Sequence, residues 1–104
     1  MINPKPFTII WDRIALDDFK DILDYLSKQS FQATKIVREG VLFRLNEIKT
    51  NPLLFELDKL KGDPNKEFRA FVIYNLRITY QIKPAAKEIR ILRIRHSSRE
   101  PLGY

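Results

Sequence analysis

The sequence predicts an α+β domain: an N-terminal strand, an antiparallel helical hairpin, then three antiparallel strands forming a small sheet. Three observations carry this prediction. Apolar residues recur at helical spacing from Ala15 to Ile48, with a single break at "KQSF". Beyond "KGDPN" the pattern changes to β-branched and aromatic runs, one of which alternates strictly. No repeat, low-complexity tract or linker divides the 104 residues, so 1–104 is read as one domain.

Each element has its own signal. "FTIIW", Phe7 to Trp11, reads as a short strand. Asp12 is placed to cap a helix whose stripe is Ala15, Phe19, Ile22, Leu23 and Leu26. The acids near its start suit the positive end of the helix dipole, and the run Asp17, Asp18, Asp21, Asp24 reads as a solvated face. Ser30 caps a second helix with the stripe Ala33, Ile36, Val37, Val41, Leu45 and Ile48. Gly40 lies inside that stripe at a cost of about 1 kcal/mol relative to alanine. Close approach of the first helix is the expected compensation. Asn51, suited to a left-handed cap, and Pro52 stop the helix. A turn follows at Gly62, Asp63 and Pro64. Then come "KEFRAFVIY", "LRITYQIK" and "EIRILRIRH", with Asn75 marking a tight hairpin between the first two and "PAAK" turning into the third. In the last strand Ile89 and Ile91 change parity to Leu92 and Ile94. That pattern requires either a bulge or a strand covered on both faces.

Composition narrows the function. There is no cysteine and a single histidine, so neither a disulfide nor a usual zinc site can form, and no metal or other cofactor is expected. No phosphate loop or nucleotide fingerprint exists among three glycines. Ser97 and Ser98 beside His96 lack the surroundings of a hydrolase nucleophile. The start of the chain shows no export signal and the longest apolar run is "AFVIY", so a cytoplasmic protein with no membrane partner is expected. The net charge of +6 lies wholly in residues 65–104, which hold 9 Lys/Arg against 3 acids. A basic half of this kind suits nucleic acid or an acidic protein segment.

The cations are the candidate site. Arg69 and Arg77 sit on strands joined by a short hairpin, and Arg93 and Arg95 share a parity on the last strand. His96 and Arg99 follow at its exit, and Tyr104 closes the chain. If the strands are neighbours, these groups converge on the open face of the sheet. Guanidinium forks there would bind phosphate or carboxylate through paired hydrogen bonds. Taken singly, Arg69 or Arg77 is an ordinary residue of a solvated face and His96 an ordinary strand-end histidine. Convergence is what points to a site.

The pieces together resemble the RelE/ParE superfamily of toxins from type II toxin–antitoxin systems, the plasmid stabilisation proteins. The matching parts are Trp11 with the acidic first helix, "A..I" opening the second and "I..NP" closing it, then "L.KLKG", "FRAFVIYNLRITYQI" and "I.ILRIRHSSREP". The resemblance implies a cytoplasmic growth inhibitor neutralised by a cognate antitoxin protein. It also implies two possible mechanisms. RelE-like toxins act on ribosome-bound mRNA as metal-independent endoribonucleases. In that reading Arg77, His96, Arg99 and Tyr104 are the catalytic candidates, and Arg69, Arg93 and Arg95 bind substrate. Phe71 stands where such strands carry a second basic residue. ParE-like toxins instead inhibit DNA gyrase by binding it, and the ending "ILRIRHSSRE" is closer to theirs. The concentration of Arg69, Arg77, His96, Arg99 and Tyr104 inclines the sequence reading towards RNA cleavage, with gyrase inhibition, or a non-toxic antitoxin-binding homologue, as alternatives.

Overall fold

A computed structural model describes residues 6–52 and 68–96. The elements run β1 (Thr8–Trp11), α1 (Arg13–Ser27), α2 (Phe31–Thr50), β2 (Phe68–Ile73), β3 (Leu76–Lys83), a short 3₁₀ turn (Pro84–Ala86) and β4 (Glu88–His96). The turn expected at Gly62–Pro64 falls outside the described residues. The strands form one sheet in the order β1-β4-β3-β2, antiparallel except for β1, which runs parallel to β4. That parallel pair joins the first strand to the last and makes β4 an interior strand.

The two helices form the expected hairpin and pack on one face of the sheet. Ala15 and Phe19 of α1 and Val41, Leu45 and Ile48 of α2 are buried against Leu76, Ile78, Tyr80 and Ile82 of β3 and Ile89, Ile91 and Ile94 of β4. Trp11 stacks on Phe19 with ring centroids 5.4 Å apart. Each buried aliphatic side chain of this kind contributes about 1.5–3 kcal/mol. The Tyr80 hydroxyl stays satisfied by donating to the Pro52 carbonyl at 3.2 Å. Phe7 N–H donates to the Lys49 carbonyl at 2.8 Å, tying the start of β1 to an otherwise orphaned carbonyl in the last turn of α2.

Ser30 caps α2 as expected, its hydroxyl accepting from Ala33 N–H at 3.1 Å. Two local expectations are corrected. Asp12 stands at the N-cap of α1, but its carboxylate makes no cap bond and accepts instead from Arg90 Nη1 at 3.0 Å. Asn51 is at φ −139°, so α2 ends without a left-handed cap.

The parity change in β4 is a bulge. Thr79 faces Arg93 while Tyr80 faces Ile91, leaving Leu92 as the extra residue. The bulge returns Ile94 to the core, opposite Ile78, after Ile89 and Ile91 have already pointed there.

Gly40 is close-packed, but by the β2–β3 hairpin and not by α1. Tyr74 and Asn75 form the two-residue turn with φ of 53° and 63°, the left-handed pair that a hairpin of this length requires. This turn lays the Tyr74 ring on α2, where a Cβ at Gly40 would stand 2.6 Å from Tyr74 Cε2 and 2.8 Å from its hydroxyl. In a Tyr74→Ala background, Gly40→Ala should therefore raise stability by about 1 kcal/mol, the difference in helix propensity. In the wild-type background the displaced tyrosine should cancel that gain. Urea denaturation of both single variants and the double variant checks this, and equal gains in the two backgrounds would show that Tyr74 does not press on Gly40.

Candidate functional site

Register decides where each cation goes, because residues directly opposite in an antiparallel pair share a face. Arg77 pairs with Arg95, Thr79 with Arg93 and Gln81 with Arg90, all on the face away from the helices. Arg69 pairs with Tyr80 and so takes the helix-side face, in line with Phe71 and Ile73. His96 pairs with Leu76, also on the helix side. The expected convergence is thus only half realised. Arg77, Arg93 and Arg95 share the far face, while Arg69 and His96 lie on the other. Arg99 and Tyr104 fall outside the described residues.

Phe71 has a physical reason to differ from the basic residue expected there. Its ring is buried and tilted against Tyr80, 6.3 Å between centroids, so a cation at this position would be taken into the core.

The far face is not uniformly charged. Arg90 is drawn to Asp12, at 3.0 Å. Arg93 reaches over the outer edge of β4 to Asp18, its Nε donating to Oδ2 at 2.9 Å and its Nη2 to Oδ1 at 3.3 Å. Arg90 and Arg93 are therefore held by carboxylates at or near the start of α1, and Arg77 stands directly opposite Arg95 across β3 and β4. Thr79 lies beside them, 1% exposed, with its Oγ1 enclosed and unbonded.

Sequence reasoning missed Asp18. It belongs to the acidic run assigned to solvent, yet it also accepts the Ile94 N–H at 3.0 Å. The available signal was its position, three residues after Ala15 and four before Ile22, on the flank of the apolar stripe. On the helix side, α1 and the ends of β3 and β4 enclose an open cleft of about 440 Å³. Its lining includes Ile22, Leu26 and Val37 with Asp21 and His96. The His96 Nδ1 is buried there without a hydrogen-bond partner. Among the described residues no group of three or more His, Cys, Asp or Glu could hold a metal. No described helix is long and apolar enough to cross a membrane.

A helical hairpin on one face of a four-stranded sheet with an N-terminal parallel strand is the RelE/ParE-like α+β architecture. Residues 9–101 match the family model described as the ParE toxin of type II toxin–antitoxin system, parDE, and the chain belongs to that family. No curated protein sequence matches it significantly. Among solved structures, the chain is similar to one from the chromosomal ParDE toxin–antitoxin system of P. aeruginosa, with a TM-score of 0.66 at 17% identity, covering 89% of this chain and 98% of that one. It is also similar to a chain of a RelBE toxin–antitoxin complex from Mycobacterium tuberculosis, at 0.58 and 18% identity, covering 88% and 98%. The isolated E. coli RelE toxin matches at 0.55 and 13% identity, covering 92% and 89%.

Asp18→Ala should destabilise the protein by about 2 kcal/mol, since it leaves Arg93 and the Ile94 N–H without their shared acceptor. Asp17, whose ion pair with Arg13 is largely exposed, should cost less than about 0.5 kcal/mol on the same change. Asp18→Asn should recover part of the loss, because an amide oxygen still accepts from Ile94. Denaturant unfolding of the three variants tests the ranking, and equal effects at Asp17 and Asp18 would refute it.

Proposed function

We propose that this toxin arrests growth by binding DNA gyrase, the mode of the ParE branch, and is neutralised by an antitoxin partner. The observation that carries the reading is the separation of the candidate groups. Cleavage of mRNA by attack of the 2′-hydroxyl needs a proton carrier and a cation at one phosphate. Arg77 and His96, the pair the resemblance would assign to those roles, point to opposite faces of the sheet. The position where a second cation would assist is filled by buried Phe71. Binding asks for less. The Arg77–Arg95 pair can anchor an acidic surface by paired hydrogen bonds without any bond being broken.

Family membership over residues 9–101 supports the same branch. The RNA-cleaving reading keeps one observation in its favour. Arg77 and Arg95, side by side, could stabilise a pentacoordinate phosphate, with the proton carrier supplied from Arg99 or Tyr104.

A gyrase supercoiling assay and a reconstituted translation reaction, run on the same preparation, separate the two. Wild-type protein should inhibit supercoiling and leave mRNA intact. Arg77→Ala should weaken inhibition by about tenfold, the loss of one interface anchor. New mRNA ends that require ribosomes, and that fall by about a hundredfold or more in Arg77→Ala, would replace this reading with the nuclease. A folded protein without effect in either assay, or on growth when expressed alone, would leave a homologue that only binds its antitoxin.

A further inference from the structure

Arg93 belongs to the far face by its register but not by the position of its guanidinium. Its Cα lies opposite Thr79, and alternation aims a side chain there away from the helices. The guanidinium instead crosses the outer edge of β4 to Asp18. Nε donates to Oδ2 at 2.9 Å and Nη2 to Oδ1 at 3.3 Å. The two side chains are only 26% and 18% exposed, so this is a forked, largely covered pair and not a loose surface contact. Asp18 Oδ2 also accepts the Ile94 N–H at 3.0 Å. That N–H needs an acceptor, but not a charged one, and an amide oxygen would serve it. What only the carboxylate adds is a negative charge and a second acceptor oxygen, and both are directed at Arg93.

Spacing shows what this contact withholds. Residues two apart on a strand share a face at about 7 Å. Released from Asp18, Arg93 would stand one such step from Arg95, which is itself opposite Arg77. Three guanidiniums in that arrangement make a short cationic track. Such a track suits the repeated phosphates of a nucleic-acid strand, where each further phosphate neutralised adds to affinity. A carboxylate on a protein surface asks for less, since one fork binds it through paired hydrogen bonds. Holding Arg93 at the edge therefore weakens the first kind of ligand and leaves the second untouched. A chain whose net charge of +6 lies wholly in residues 65–104 attracts polyanions in general, so removal of one contact is a means of discrimination.

We infer that Asp18 is a specificity-determining residue: by holding Arg93 at the outer edge of β4, it keeps the far face of the sheet from gripping a nucleic-acid backbone. Asp18 touches no ligand in this role. It acts through Arg93, and the inference goes beyond the gyrase reading without depending on it.

The test is a double-mutant cycle on binding of the purified protein to a fluorescent single-stranded DNA of about 16 nucleotides. DNA lacks the 2′-hydroxyl, so cleavage through that group cannot disturb the equilibrium. Asp18→Asn keeps an acceptor for Ile94 and turns its amide donors towards Arg93, which then has no reason to stay. One further phosphate contact should raise affinity by about eightfold at about 50 mM salt and by about fourfold at about 150 mM. Arg93→Gln should change affinity by less than about twofold in the wild type, yet should remove the whole gain in Asp18→Asn. Asp21→Asn adds the same net charge without releasing a described arginine, and should change affinity by less than about twofold. Absence of a gain in folded Asp18→Asn would overturn the inference, as would a gain that persists in the double variant or is matched by Asp21→Asn. If Asp18→Asn does not fold, the wild-type arm still decides. A loss of about fourfold or more in Arg93→Gln at about 50 mM salt would place Arg93 on the nucleic acid already and overturn the inference. No gyrase enters the measurement, so its outcome is separate from that of the supercoiling assay.

Discussion

Asp18 accepts the Ile94 N–H at the place where an interior strand of the sheet loses its neighbour. β4 has β3 along one side for its whole length, but β1 covers the other side only as far as Ile91. Beyond that point the outward N–H of Ile94 has no strand to bond, and leaving it unpaired would cost about 1–3 kcal/mol. The carboxylate of Asp18 takes the place of the missing strand, and the same oxygen receives Arg93 Nε. This contact also holds the chain just after the Leu92 bulge. Without the bulge, Ile94 would leave the core and Arg95 would enter it, because side chains alternate with a period of two. A single acid on α1 therefore supports the register that buries Ile94 and turns Arg95 outward opposite Arg77.

That dependence explains which parts of the structure were legible in the sequence. β3 and β4 have the bounds their apolar patterns mark, Leu76–Lys83 and Glu88–His96, and α2 begins at the Ser30 cap. These are local signals, read within one or two turns of chain. What was not legible is non-local. Nothing near Thr8–Trp11 tells that its partner is the last strand, some eighty residues away, or that the pair is parallel. The neighbour of Gly40 was assigned to α1 because helical hairpins pack closely, whereas the hairpin turn at Tyr74 arrives from the sheet. Arg69 groups with Arg77 in the sequence because a short hairpin joins their strands. One register, Arg69 opposite Tyr80, sends it to the other face. The candidate site was therefore readable as a set of residue types but not as a geometry.

The bulge and the hairpin turn divide the molecule's surface into two kinds of chemistry. On the far face, alternation places Arg77, Thr79, Gln81 and Lys83 on β3, and the bulge keeps Arg93 and Arg95 beside them. On the helix side, the left-handed turn at Tyr74 and Asn75 aims an aromatic ring at the one residue of α2 able to receive it. Gly40 thus trades helix propensity for a contact that no alanine at that position allows.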